Sequence, residues 1–221
     1  KKRIRAAGSM YDVVRIDHFI GIVRYYAIPA DGVPVDGAFR EGPGAKLIEA
    51  IDESIGDAKV IAEDLGVVVP GVRKLLEESG YPGMKILEFA FDGNRENEYL
   101  PHNYERNCVV YSGTHDNETL LSWLEDITPA ERRQVRKYLN NFKDSGKELC
   151  DDLICLVMQS VANLCIVPMQ DYLGLGSDAR INTPSTLGGN WEWRMKPGEP
   201  DEGTVREMER MTKIYGRLRF T

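Results

Sequence analysis

The sequence predicts an α/β protein whose parallel strands alternate with helices. Three observations carry this. Apolar runs of strand length recur along the chain, and the segments between them have helical period. With 221 residues, 42% of them hydrophobic, the chain can bury a sizeable core. Strands that alternate with helices pair in parallel through right-handed crossovers.

Residues 1–7, Lys-Lys-Arg-Ile-Arg-Ala-Ala, read as the end of a helix without cap or leader, so the chain is expected to begin inside a larger protein. A first strand follows at 12–17. Gly32, Gly37, Gly42 and Gly44 then punctuate a loop or hairpin. Residues 44–55 are helical, with Leu47, Ile48 and Ile51 on one stripe. A strand at 59–63 precedes a helix at 69–79, where Pro70 suits the first turn. Further strands are expected at 84–89, 108–112 and 164–168. Between the last two, residues 129–162 form two helices broken near Lys143-Asp144-Ser145-Gly146. A glycine-rich polar loop, 173–194, and an amphipathic segment, 202–218, close the chain. Five strands are too few for a closed eight-stranded barrel, which takes about 250 residues.

The net charge of −7 argues against a phosphate-backbone ligand, so no nucleic acid is expected as partner. A neutral polar ligand such as a sugar suits the acidic surface. There is no bilayer-length apolar run and no signal peptide, and no membrane partner is expected. Cys108, Cys150, Cys155 and Cys165 are spaced unlike a zinc site or a thioredoxin motif and read as free thiols of a cytoplasmic protein. The first strand runs into Asp17-His18-Phe19-Ile20-Gly21 rather than G-x-G-x-x-G, which weakens a dinucleotide-binding reading. No cofactor is expected, and no metal, since no His pair has a ligand spacing.

Acids stand where apolar strands stop. The first strand ends in Arg15-Ile16-Asp17, with Arg15 and Asp17 on one face. The second ends in Glu63, and Cys108 to Tyr111 runs into Ser112-Gly113-Thr114-His115-Asp116-Asn117. In α/β barrels the C-terminal strand edge carries the site, built from several strands. One such acid alone is more simply a helix cap or a solvated loop residue, and Asp12, Asp64 and Asp92 are assigned so. Three acids, one arginine, His18 and His115 at equivalent positions are harder to attribute to capping.

These residues fall in motifs. Arg15-Ile16-Asp17-His18-Phe19, Ile61-Ala62-Glu63-Asp64-Leu65-Gly66, Pro82-Gly83-Met84-Lys85, Tyr99-Leu100-Pro101-His102-Asn103-Tyr104 and Gly113-Thr114-His115-Asp116-Asn117 occur in that order. Asp171-Tyr172-Leu173-Gly174-Leu175-Gly176, Asn182-Thr183-Pro184 and Gly189-Asn190-Trp191 follow. Together they resemble the 4-α-glucanotransferases (amylomaltases, or disproportionating enzymes), relatives of the α-amylases. Ile20 departs from the pattern, which often has arginine there.

The resemblance implies that residues 1–221 are one domain, the C-terminal part (about strands 4 to 8) of a (β/α)8 TIM barrel. It implies Asp17 as nucleophile, Glu63 as general acid/base and Asp116 as the acid that holds substrate and steadies the transition state. Arg15, His115 and Asn182 are then expected to bind substrate. The chemistry agrees, because a retaining enzyme needs one carboxylate to attack and one carboxyl to protonate the leaving oxygen. His18 reads equally as a structural hydrogen bonder beneath the site. Trp191 and Trp193 read as anchors of their loop rather than as stacking faces for sugar.

The implied reaction moves a segment of an α-1,4-glucan or maltooligosaccharide to the 4-hydroxyl of glucose or another glucan. A hydrolase with the same acids, or an inactive sugar-binding relative, are the alternatives. This stretch alone is expected to be inactive and to self-associate through its sheet edges.

Overall fold

In the computed structural model, which describes residues 1–66, 70–142 and 145–218, each of the five expected strands is present. The order is α1 (Lys2–Met10), β1 (Val13–Ile16), α2 (Ile20–Val23), β2 (Arg24–Ala27), β3 (Ala38–Glu41), α3 (Ala45–Ile55), β4 (Lys59–Ala62), α4 (Pro70–Ser79) and β5 (Gly83–Ile86). It continues with β6 (Cys108–Tyr111), α5 (Leu120–Asp126), α6 (Pro129–Leu139), α7 (Gly146–Met158), β7 (Leu164–Ile166), α8 (Met169–Leu173) and α9 (Glu202–Ile214). Residue 69, expected to open a helix, and Lys143-Asp144, expected to break one, lie outside the described residues. The chain clusters into two compact units, Lys1–Met84 and Lys85–Thr221.

In the first unit β1 and β4 run parallel, and β2 and β3 form an antiparallel hairpin in the glycine-punctuated segment. The apolar stripe of α3 differs slightly from expectation. Ile48, Ile51 and Ile55 are buried, whereas Leu47 lies at the solvent edge. Spacings of three and four keep the three isoleucines on one face. One apolar cluster joins Ile48 to Phe19, Ala62 and Val72; a second joins Ile51 and Ile55 to Val60. Each fully buried side chain of this size contributes about 1.5–3 kcal/mol.

The second unit has a sheet in the order β5-β6-β7, with β6 and β7 parallel. Its core is fed most heavily by α7, where Leu149, Leu153 and Ile154 are almost completely buried. Local signals set the helix ends. Thr128 and Glu131 form a capping box at α6, with Pro129 in its first turn, and Asn140 ends that helix in the left-handed conformation. Ser145 and Asp201 cap α7 and α9. The strand expected over 84–89 stops at Ile86, because residues Leu87–Phe89 turn into a 3-10 helix. Among the described residues, no helix is long and apolar enough to cross a membrane.

Candidate active site

Parallel pairing brings two of the expected acids together in the first unit. Ile16 stands opposite Ala62, so Asp17 and Glu63 are the next residues out, at adjoining C-terminal strand ends. The main chain closes these ends: Glu63 N–H donates to the Ile16 carbonyl (2.9 Å), and Phe19 N–H to the Glu63 carbonyl (2.8 Å). The Glu63 carboxylate accepts the backbone N–H groups of His18 (2.6 Å) and Leu65 (2.9 Å). His18 has φ 48°, a left-handed conformation that histidine tolerates better than most residues. Its contribution here is a backbone donor. Asp17 is exposed, Glu63 half-buried, and half-buried Arg15 lies on β1 two residues before Asp17.

Asp64 faces a different task. Its Oδ1 accepts the Met84 N–H (2.7 Å), and a Cβ on Gly83 would lie 2.6 Å from its Oδ2. This acid braces the start of β5, rather than capping a helix or standing solvated in a loop.

The second unit holds the third acid in a tight turn after β6. The Asn117 side-chain oxygen accepts from Thr114 N–H (3.0 Å) and Thr114 Oγ1 (2.7 Å), and Asp116 N–H donates to Thr114 Oγ1 (3.3 Å). The exposed Asp116 carboxylate accepts from Asn182 Nδ2 at 2.6 Å, with His115 Nε2 3.4 Å from its other oxygen. Arg180 ties the group together, donating to the Asp116 carbonyl (2.7 Å) and the Asn182 carbonyl (2.9 Å) and pairing with Glu118. Asn182, expected to touch sugar, engages Asp116 here. Trp191 is 57% exposed, and its ring lies 5.1 Å from that of His115. It braces His115 rather than anchoring its loop in the core, and Trp193 is half-buried.

Beneath this turn lie acids that sequence reasoning did not single out. Asp171 accepts from Ser112 Oγ (2.6 Å) and Leu120 N–H (2.8 Å), and burial raises its pKa against those two hydrogen bonds. Glu88 is buried too, and its Oε1 has no hydrogen-bond partner among the described residues. Burial, and then the Asp171 charge, hold Glu88 well above the usual carboxylate range, against a hydrogen bond from Asn117. Asp171 stands in a motif of the sequence. Glu88, Glu118 and Arg180 carry no local signal.

Fold and site together define an α/β protein with acids set at the C-terminal ends of parallel strands. The 4-alpha-glucanotransferase family profile (Glyco_hydro_77) matches residues 1–200. The chain belongs to this family. It is 44% identical to the 4-alpha-glucanotransferase of Thermus thermophilus over 221 residues, covering 96% of this chain and 44% of that protein. It is 43% identical to the chloroplastic/amyloplastic 4-alpha-glucanotransferase of Arabidopsis thaliana over 220 residues, covering 98% of this chain and 38% of that protein. Among solved structures, the amylomaltase of Streptococcus agalactiae in complex with acarbose superposes with a TM-score of 0.92. That pair is 36% identical, over 99% of this chain and 44% of the other. The chain thus spans less than half the length of these relatives.

Proposed function

We propose that the protein carrying this chain is a 4-alpha-glucanotransferase that transfers α-1,4-glucan segments by retaining double displacement. The observation that carries the reading is the register of β1 and β4, which sets Asp17 and Glu63 side by side past two adjoining strand ends. Neighbouring strands lie about 4.8 Å apart, close to the carboxyl separation of about 5–5.5 Å that retaining glycosidases use. Asp17 attacks the anomeric carbon while Glu63 passes its proton to the departing 4-oxygen. The acceptor's 4-hydroxyl then attacks that carbon, Glu63 takes back the proton, and the bond to Asp17 breaks. Asp116 grips sugar hydroxyls and holds the ring more tightly as positive charge develops. Arg15, on β1 two residues before Asp17, binds sugar beside the nucleophile, and His115 and Asn182 complete the contacts to sugar.

In the same reading residues 1–221 form one domain, the C-terminal portion of a (β/α)8 barrel of a cytoplasmic enzyme. Maltooligosaccharides are donors, and glucose or glucans are acceptors. Its 4-alpha-glucanotransferase relatives and the amylomaltase bound to acarbose support the substrate class. Within the first unit, among the described residues, β1 pairs with β4 alone, and Val13 on β1 is exposed. Such an edge favours self-association of the isolated 221-residue chain, which is expected to lack transfer activity.

Incubation of the protein carrying this chain with maltotriose tests the reading. A ladder of longer oligomers is expected, whereas shorter sugars alone would establish hydrolysis instead.

A further inference from the structure

Glu88 has a position that the reaction above does not use. It follows β5 in a 3-10 turn, and its N–H reaches the carbonyl of Ser112 at the end of β6 (3.3 Å). Its side chain lies under the Thr114–Asn117 turn, so close to Gly113 that a Cβ there would sit 2.5 Å from Glu88 Oε1. That oxygen is the orphan atom, and buried orphans in a folded protein call for an explanation. The same Cβ on Gly113 would lie 3.3 Å from Asn117 Cβ, which sets the Asn117 side chain, its oxygen already gripping Thr114 twice, beside the Glu88 carboxyl as its neutral hydrogen-bonding neighbour. Asp116 therefore hangs from a short chain of contacts that begins at Glu88.

We propose that Glu88 is a positioning residue for Asp116, fixing Asn117 and through it the turn that presents the Asp116 carboxylate. The inference rests on the role given above to Asp116. Its physical logic is electrostatic. The groups acting on Glu88 are Asp171 from α8, Glu118 from the segment leading into α5, Arg180 directly after a 3-10 turn at Ser177–Ala179, and the neutral Asn117. Arg180 is the single cation among them and is already committed to Glu118. A charged Glu88 there would face two further carboxylates in a buried space; an uncharged one avoids that repulsion and still accepts from Asn117. Raising the pH until Glu88 ionises therefore loosens the turn and weakens the hold of Asp116 on the sugar.

Burial raises Glu88 above its ordinary value of 4.5, so over the interval above that pH the folded protein keeps a proton that the unfolded chain has lost. Stability from this group is complete below the unfolded value and declines as pH rises through the folded one. Glutamine has no such proton to lose.

The test compares wild type, Glu88→Gln, Glu88→Leu and Asp116→Asn in the protein carrying this chain, measuring transfer from maltotriose and thermal midpoint across pH. Glu88→Gln is expected to keep near wild-type turnover, to lose the alkaline fall in kcat, and to gain in stability relative to wild type as pH rises. Glu88→Leu, unable to accept from Asn117, is expected to lose about 10²-fold in kcat, the scale of a small misplacement of a reacting group. Equal impairment of the Gln and Leu variants, or an alkaline limb unchanged in Glu88→Gln, overturns the proposal. If Glu88→Leu does not fold, the Gln profile decides alone. An active Asp116→Asn would instead refute the role of Asp116 itself, whereas an inactive one with indifferent Glu88 variants would refute only the positioning.

Discussion

Glu63 and Glu88 follow similar apolar runs, Lys59-Val60-Ile61-Ala62 and Met84-Lys85-Ile86-Leu87, and meet opposite environments. Directly after β4, Glu63 stands half-buried with its carboxylate on two backbone N–H groups. After β5 the chain curls into a 3-10 turn that tucks Glu88 inward, among other acids and with one oxygen unpartnered among the described residues. A carboxylate held by main-chain donors at an accessible strand end is fixed in place yet free to exchange protons with a substrate. A carboxyl buried among acids serves better as an uncharged strut.

The largest test of this contrast separates activity from stability. Glu63→Gln should cost about 10²–10⁴-fold in transfer rate, the usual worth of a general acid/base, with the thermal midpoint nearly unchanged. Asp171→Ala should do the reverse to the fold: it strands the Ser112 hydroxyl and the Leu120 N–H, each at about 1–3 kcal/mol, so denaturant titration should show a marked loss. If Glu63→Gln unfolded the protein while Asp171→Ala left it stable, the division between working and supporting acids would be lost. A smaller effect sharpens the same contrast. Gly113→Ala drives a methyl group against Glu88 and should destabilise by about 1–3 kcal/mol, measurable by chemical denaturation.

Much of the scaffold was legible in the sequence because its signals are local. Alternating apolar runs placed the five strands, Pro129 and Asn140 bound one helix, and the acids after β1, β4 and β6 stood out against apolar neighbours. The extra turn at Leu87–Phe89 was not legible, since Ile86-Leu87-Glu88-Phe89 has the composition of a continuing strand. Short helices such as α5 and α8 escaped because few residues define their period. Arg180 and Glu118 were missed for another reason: their roles are set by residues about sixty positions apart in the chain, and neither sits in a patterned context. Asn182 was found by its motif, but its grip on the Asp116 carboxylate required coordinates.

Trapping the covalent intermediate tests the central claim most directly. With Glu63 replaced by alanine, an activated donor such as maltosyl fluoride can still glycosylate the nucleophile without acid assistance, while the second step, which needs a base, stalls. Peptide mass spectrometry should then find one maltosyl group, attached to the side chain of Asp17. A label on any other carboxylate, or rapid turnover with no adduct at all, would contradict the account.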